Sequence, residues 1–274
     1  MRARLAMVAL IAVFAAGCPN KERNASIEAM NKGVGLMSTG SNATAVAQFK
    51  EAVRLFPGNH QAHYALGQIF FKESKWKESA EAFGEAVKHR KEDAMYQMYR
   101  GRALYMDGNI DPAIQALEEA VKLNPDIYKA HEYLGDAYLA ADRPKDAAQA
   151  WTTSAQLNPT EGAPFSSLGK LYLEWDQVDA ALKVLQQAAL NVKGEKQLSE
   201  VYTLLGLAYD ALGGDSNIDK AIEAYSKAIA TRADNLDAKF QRGLDYAKKH
   251  DKVRAKPDLE EYGKGGTNAF DKTQ

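Results

Sequence analysis

Glycine recurs along this chain at an almost constant interval, and this periodicity restricts the fold more than any other feature of the sequence. Five glycines lie 34 residues apart and two more follow at intervals of 37: Gly33, Gly67, Gly101, Gly135, Gly169, Gly206 and Gly243. A period of about 20–50 residues is typical of repeat proteins, in which each short unit packs on its neighbours. The sequence therefore predicts a row of similar units rather than one globular core.

Small and large residues follow each glycine at fixed distances. In the first copy they are Ala45, Phe49 and Ala52, which lie 12, 16 and 19 residues after Gly33. The first two distances recur in every copy except the one at Gly206, where they are three residues longer. Small residues let helices approach to about 8–10 Å, while large residues fill the gaps between them. The spacing predicts two packed helices of about a dozen residues in each copy.

Turn-forming residues separate the two predicted helices of a copy. Asp107-Gly108-Asn109 and Asp142-Arg143-Pro144 combine residues that tolerate or initiate chain reversal. Elsewhere, abundant Ala, Leu, Lys, Glu and Gln, with only 8 prolines in the chain, favour helix over strand. Each copy is therefore predicted to be a helix-turn-helix hairpin, and the fold class to be all-α.

The repeated pattern resembles the tetratricopeptide repeat over about residues 26–262. Leu66-Gly67 followed by Phe70, and Leu134-Gly135 followed by Tyr138, match the Leu-Gly pair and the aromatic residue of that family. The resemblance implies a right-handed superhelical solenoid of about seven helix-turn-helix repeats. The predicted repeats lie near residues 26–59, 60–93, 94–127, 128–161, 162–195, 199–235 and 236–262, and a flexible tail is predicted at 263–274.

The first 17 residues are predicted to be a signal peptide. Arg2 and Arg4 form a short basic region, and Leu5 to Ala16 is an apolar run of twelve residues. A membrane-spanning helix needs about 20 apolar residues. The run is therefore too short for a stable membrane span and is typical of a secretory signal.

Cys18, the one cysteine of the chain, lies at the end of this apolar run, after Gly17. A single cysteine cannot form an internal disulfide, and Ala15-Ala16-Gly17-Cys18 resembles the lipobox of bacterial lipoprotein precursors. The resemblance implies lipidation of Cys18 and a membrane attachment through that lipid anchor, with residues 18–25 as a short polar tether. Because Pro19 rather than aspartate follows, it also implies the outer membrane, facing the periplasm. Cleavage without lipidation is the alternative.

Composition and motifs do not favour nucleic-acid binding or catalysis. The chain has 35 basic and 36 acidic residues, whereas nucleic-acid binding needs a basic surface. His60 and His63 have no Cys, Asp or Glu at matching spacing, so we interpret them as packing or surface residues. Ser167 and Lys170 match a Ser-x-x-Lys motif without the strand context that its enzymes require. We therefore predict no catalytic site, no metal site and no cofactor.

A groove that binds a protein segment is the predicted functional site. In the tetratricopeptide family the first helix of each hairpin lines the concave face, so residues around the glycine are the expected contacts. In the second to fourth copies these residues are Tyr64, Gln68, Phe71, Met98, Tyr99, Arg102, Tyr105, Glu132, Tyr133 and Asp136. Aromatic residues, methionine and a few charges are typical of binding surfaces with anchoring side chains. The alternative is that several of them simply pack one hairpin on the next.

These features predict a non-enzymatic adaptor in the bacterial cell envelope that holds a segment of a protein partner. By resemblance, lipoproteins of this architecture include type IV pilus pilotins, which help to assemble secretin subunits in the outer membrane. Others recruit peptidoglycan-processing enzymes. A structural homo-oligomer is a third interpretation, and the sequence leaves the pathway and the partner open.

Overall fold

A computed structural model describes residues 19–265 of the protein. All regular secondary structure in this range is α-helix, which confirms the predicted all-α class. The described residues form two compact units: unit 1 ends at Asn124 and unit 2 begins at Pro125. Within each unit, successive helices pack on one another in chain order.

Unit 1 consists of three helical hairpins. Its helices are α1 (Pro19–Ser38), α2 (Asn42–Leu55), α3 (His60–Lys72), α4 (Trp76–His89), α5 (Ala94–Met106) and α6 (Ile110–Leu123). The small and large residues that follow the first glycine are fully buried, and Phe49 packs in one apolar cluster with Ala65 and Leu66 of the next hairpin. Each hairpin therefore buries its apolar face against its neighbour.

Unit 2 consists of four hairpins. Its helices are α7 (Tyr128–Ala140), α8 (Pro144–Leu157), α9 (Ala163–Glu174), α10 (Val178–Asn191), α11 (Glu195–Leu212), α12 (Asp215–Thr231), α13 (Leu236–Lys248) and α14 (Lys252–Gly265). Ala181, Leu185 and Ala188 of α10 are fully buried, as the spacing predicts, and join Phe165 and Val201 in one apolar cluster.

The repeat glycines are sites of close helix packing. A Cβ atom placed on Gly33 would lie 2.7 Å from the ring of Phe49, and one placed on Gly67 would lie 2.7 Å from Phe83. In both hairpins the large residue is the one that lies sixteen positions after the glycine. The spacing therefore reflects a large side chain of the second helix that rests on the bare backbone of the first.

The turns inside the hairpins share one backbone feature. Residues with positive φ angles, between 56° and 81°, occur 34 residues apart in the first five hairpins: Gly40, Ser74, Gly108, Asp142 and Asp176. A single residue in this left-handed region reverses the chain after the first helix. The predicted turns at Asp107-Gly108-Asn109 and Asp142-Arg143-Pro144 are confirmed.

Buried hydrogen bonds join successive hairpins near the start of their first helices. Asn59 accepts a hydrogen bond from a backbone N–H group of α3 at 3.0 Å and donates one to Ser26 Oγ at 2.9 Å. Ser26 Oγ in turn donates to the backbone carbonyl of Ala52 at 2.7 Å. In unit 2, Asn235 and Ser199 repeat this arrangement. One asparagine thus caps its own helix and fixes the previous hairpin.

Two predicted boundaries differ from the structure. Residues 19–25, predicted as a tether, form the first turns of α1, because Lys21, Glu22 and Arg23 favour helix. At the other end α14 continues to Gly265, past the predicted start of the tail at residue 263. The predicted signal peptide and Cys18 lie outside the described residues, as does the rest of the predicted tail.

Candidate protein-binding surface

An aromatic cluster in unit 1 contains two of the predicted groove residues, Tyr64 and Tyr99. The other members are Phe83 and Tyr96, and the ring centroids lie 5.0–5.6 Å apart. Aromatic pairs at such distances contribute about 0.5–1.5 kcal/mol beyond their buried area. Tyr64 and Tyr99 therefore hold the second and third hairpins together, which is the packing role that the sequence left open.

Polar groups complete the edge of this cluster. Gln68 Nε2 donates a hydrogen bond to the Tyr64 hydroxyl at 2.9 Å, and a ring nitrogen of His60 lies 2.8 Å from the Tyr96 hydroxyl. Burial raises the pKa of the Tyr64 phenol above its ordinary value, because a phenolate would lose its hydration there. Gln68 is half-buried, and it extends the cluster towards the surface.

Phe71 and Arg102 form a second contact between the same two hairpins. The Arg102 guanidinium carbon lies 4.6 Å from the centre of the Phe71 ring, and Trp76 meets that ring edge-on at 4.8 Å between centroids. Cation–π contacts of this kind are worth about 0.5–1 kcal/mol at exposed sites. Phe71 and Arg102 remain half-exposed, so both can also contact a partner.

The first helix carries an apolar surface that the sequence analysis missed. Ile27, Val34 and Met37 are 41%, 50% and 36% exposed, and half-buried Met30 lies between them. Their spacing places all four on one face of α1, over about 15 Å from Ile27 to Met37. We call these four residues the α1 stripe. Carrying the 34-residue register back from Gln68 and Phe71 would have identified it, because Val34 and Met37 are their equivalents.

The α1 stripe and the half-exposed residues of α3 and α5 together form what we call the unit 1 face. From α3 and α5 it includes Gln68, Phe71, Arg102, Tyr105 and the exposed Met95. Methionine adapts its shape to different apolar partners, and aromatic residues and arginine are enriched where proteins bind one another. The composition of this face is therefore that of a binding surface.

Three of the predicted groove residues are engaged within the fold. Met98 is 3% exposed and belongs to the core, and Glu132 is buried with its carboxylate 2.9 Å from Lys129 Nζ. The prediction that Met98 and Glu132 are presented to a partner is wrong, because their helices turn these positions inwards. Asp136 accepts a hydrogen bond from the Trp151 indole N–H at 3.0 Å. Tyr133, also in unit 2, is half-exposed, and its contact with a partner stays a prediction.

Unit 2 contains a group of charged side chains on α11 and α13 that surrounds one fully buried carboxylate. Asp245 has no exposed surface, and one of its carboxylate oxygens lies 2.7 Å from Lys248 Nζ. Asp210 lies beside it and accepts a hydrogen bond from the Tyr225 hydroxyl at 2.7 Å. Burial and the neighbouring charge of Asp210 raise the pKa of Asp245 to about 6. The Lys248 ammonium also lies 3.4 Å from an Asp210 carboxylate oxygen, so this group joins the last hairpin to α11.

The predicted histidine pair is used in packing. His63 is buried, with one ring nitrogen 2.9 Å from the Pro57 carbonyl and its ring centroid 5.9 Å from that of His89.

Over residues 19–265, no three metal-ligating side chains lie close enough together to hold an ion. In the same range, no helix has the length and apolar character needed to cross a bilayer.

Comparison with protein families identifies the repeat. A family model described as tetratricopeptide repeat matches residues 30–83, 70–121 and 107–162, and a second model with that description matches residues 199–235. Together these matches cover more than half of the chain. A comparison with curated proteins finds no match.

Several solved structures share the fold. The pilF protein of Pseudomonas aeruginosa is 20% identical with a TM-score of 0.63, and the match covers 80% of this chain and 96% of that one. A tetratricopeptide repeat protein from Parabacteroides merdae is 16% identical with a TM-score of 0.64, covering 90% and 95%. YrrB, described as having an unusual peptide-binding site, is 23% identical with a TM-score of 0.53, covering 66% and 90%. At these identities the likeness establishes the solenoid fold.

Proposed function

The chain belongs to the tetratricopeptide repeat family, and on this basis we propose that it is a non-enzymatic adaptor that binds a segment of another protein on the unit 1 face. The observation that carries this proposal is the α1 stripe. Three large apolar side chains are exposed along one helix face, beside half-exposed aromatic residues, and such patches typically mark interaction sites. The peptide-binding site named for YrrB supports the same class of function.

The chemistry of the unit 1 face favours an apolar partner segment. Ile27, Val34 and Met37 offer no hydrogen-bonding side-chain groups, and apolar burial yields about 25 cal/mol per Å² of surface removed from water. Tyr64 and Tyr99 are held by the aromatic cluster, so this part of the surface is ordered before a partner binds. A preordered surface loses less conformational entropy on binding.

We also propose that the adaptor is a lipoprotein anchored through Cys18 in the outer membrane and facing the periplasm. Support comes from the lipobox-like sequence that ends at Cys18 and from the apolar run before it. The resemblance of such a repeat lipoprotein to type IV pilus pilotins favours a role in the assembly of an outer-membrane, pilus or secretion complex. An adaptor for peptidoglycan-processing enzymes is the second candidate in the same location.

Metabolic labelling with a palmitate analogue tests the anchor. The wild-type protein should become labelled and fractionate with membranes, whereas Cys18→Ser should lose both properties because the acylated sulfur is gone. Labelling that persists in Cys18→Ser would disprove the lipoprotein assignment without affecting the proposed binding surface.

Affinity purification from membranes with quantitative mass spectrometry tests the surface. Val34→Asp combined with Met37→Asp should deplete the specific partner, since two carboxylates in the α1 stripe cannot be buried against apolar groups. Val253→Asp is the matched control, because Val253 is an exposed valine of α14 in unit 2. Equal recovery of every partner by the double variant and the control would contradict the proposed surface.

Light scattering distinguishes the adaptor from a self-associating structural protein. The adaptor is expected to be a monomer in solution when no partner is present. A stable oligomer that Val34→Asp dissociates would instead assign the unit 1 face to self-association.

A further inference from the structure

Unit 2 has a crevice on a different set of helices from those that form the unit 1 face. It lies where α8 and α10, the second helices of two consecutive hairpins, both pack on α9, and its volume is about 330 Å³. The buried rings and methyl groups of Phe165 and Leu168 form its floor, and half-buried Tyr172 and Val184 line its sides. The interior is therefore apolar and large enough for a bulky side chain.

The rim of the crevice is polar and carries one positive charge. Lys183 is exposed and is the sole charged residue among those of the described chain that line the crevice. None of the ion pairs between residues 19 and 265 includes Lys183. Gln156 and Gln187 supply the neighbouring polar groups. An apolar interior beside an unpaired ammonium group matches a ligand with an apolar body and a negative charge.

An exposed leucine extends the apolar surface beyond the crevice. Leu190 is 86% exposed and follows Lys183 by seven residues on α10. Seven residues are close to two helical turns, so Leu190 lies on nearly the same face as Lys183, about 10 Å along the helix. The crevice and Leu190 thus form two apolar contact points separated by about two turns.

We propose that this surface binds an amphipathic helix of a partner protein. One large apolar side chain of that helix fills the crevice, a second covers Leu190, and a carboxylate pairs with Lys183. Apolar residues seven positions apart on one helix have the required separation, and helices commonly bind in apolar grooves in this way. The inference does not depend on the unit 1 face, because the helices involved are different.

The proposal is tested with a displayed library of amphipathic helices, selected against the full-length purified protein. Enriched helices should carry an acidic residue beside two apolar residues seven positions apart. Lys183→Glu should weaken the best binder at least tenfold, because it replaces attraction by repulsion. Leu190→Ser should weaken it about tenfold, the equivalent of about 1.4 kcal/mol. Ala180→Phe, which fills the crevice, should abolish binding.

Matched controls lie on α14. Lys252→Glu makes the same charge change at an exposed lysine, and Val253→Ser makes a comparable change at an equally exposed apolar residue. Both controls should bind as the wild type does, and circular dichroism should show equal helicity for all variants. Binding that Lys183→Glu and Leu190→Ser leave unchanged would overturn the proposal.

Three other results would also overturn it, in favour of another binding surface or another occupant. Selected helices whose binding is lost in the Val34→Asp variant, but kept in the Lys183→Glu variant, would bind the unit 1 face. If no helix is enriched, and cis-parinaric acid fluoresces on binding to the wild type but not to Lys183→Glu, the crevice instead binds an acyl chain. A dimer in light scattering that Leu190→Ser dissociates indicates a second copy of this chain.

Discussion

Replacing two glycines of the same helix by alanine separates close packing from helix propensity. Gly33 and Gly35 both lie inside α1, but an added Cβ at Gly33 would be 2.7 Å from the Phe49 ring, whereas an added Cβ at Gly35 would have no neighbour within 4 Å. Both substitutions should gain up to about 1 kcal/mol from the higher helix propensity of alanine. Any difference between the two therefore measures the contact with Phe49.

The expected magnitude follows from the burial of Phe49. This ring has no exposed surface and is packed among the residues of the next hairpin, so it cannot swing away. Overpacking a core by one methyl group costs about 1–3 kcal/mol. Gly35→Ala should thus raise the free energy of unfolding by up to about 1 kcal/mol. Gly33→Ala should instead leave it unchanged or lower it by up to about 2 kcal/mol.

Hydrogen exchange measured by mass spectrometry is the appropriate assay, because hairpins of a repeat protein can open separately. The free energy of opening over α1 and α2 should differ between the two variants by about 1–3 kcal/mol. Adding Phe49→Leu to Gly33→Ala should recover part of the loss, as expected for residues in direct contact. Equal stabilisation by both alanines would refute the idea that the glycine register exists for close packing.

Three further predictions concern single polar residues. Asn59→Ala should lower the free energy of unfolding, measured by urea titration, by about 1–3 kcal/mol. Asn109→Ala is the control, because the Asn109 side chain makes no hydrogen bond to its own helix, and it should lower the same free energy by less than about 1 kcal/mol. Asp176→Gly should raise the melting temperature, because glycine adopts the φ angle of 56° without steric cost. Asp245 holds a proton in the folded state up to a pKa of about 6, while the unfolded chain releases it near 3.8. The stability that this proton contributes is present at low pH and is lost as the pH rises through about 6. The free energy of unfolding, measured relative to Asp245→Asn, should accordingly fall by roughly 2 kcal/mol between about pH 4.5 and pH 7.5.

The hairpin register could be predicted from the sequence because it depends on local steric rules that repeat. A glycine at one position and a large residue sixteen positions later give the same contact in six of the seven hairpins, whether the large residue is Phe49, Leu117 or Leu185. In the Gly206 hairpin, Tyr225 makes this contact from nineteen positions later. The start of α1 could not be predicted in this way. Residues 19–25 have no apolar periodicity, and their helix is stabilised by propensity and by the buried hydrogen bond of Ser26 to the second helix.

The repeat positions that form the candidate surface could be predicted from the sequence, but the exposure of the individual side chains at those positions could not. Met95 and Met98 lie one turn apart on α5, yet Met95 is exposed and Met98 is buried. Repeat position identifies the helix face, but the rotation of each helix against its neighbours decides which residue of that face reaches solvent. Tyr64 illustrates a further ambiguity, because an aromatic residue at a binding position can equally be used to join two hairpins.

The contrast between the first and last described helices favours a functional use of the α1 stripe. Helices at the ends of a repeat stack usually present polar outer surfaces, which keep the protein soluble. Most exposed residues of α14 are charged or otherwise polar, although Val253 is also exposed, as this rule predicts. The first helix instead exposes Ile27, Val34 and Met37 in one line. Such an arrangement favours aggregation unless another surface covers it, and it is therefore best explained by a binding partner.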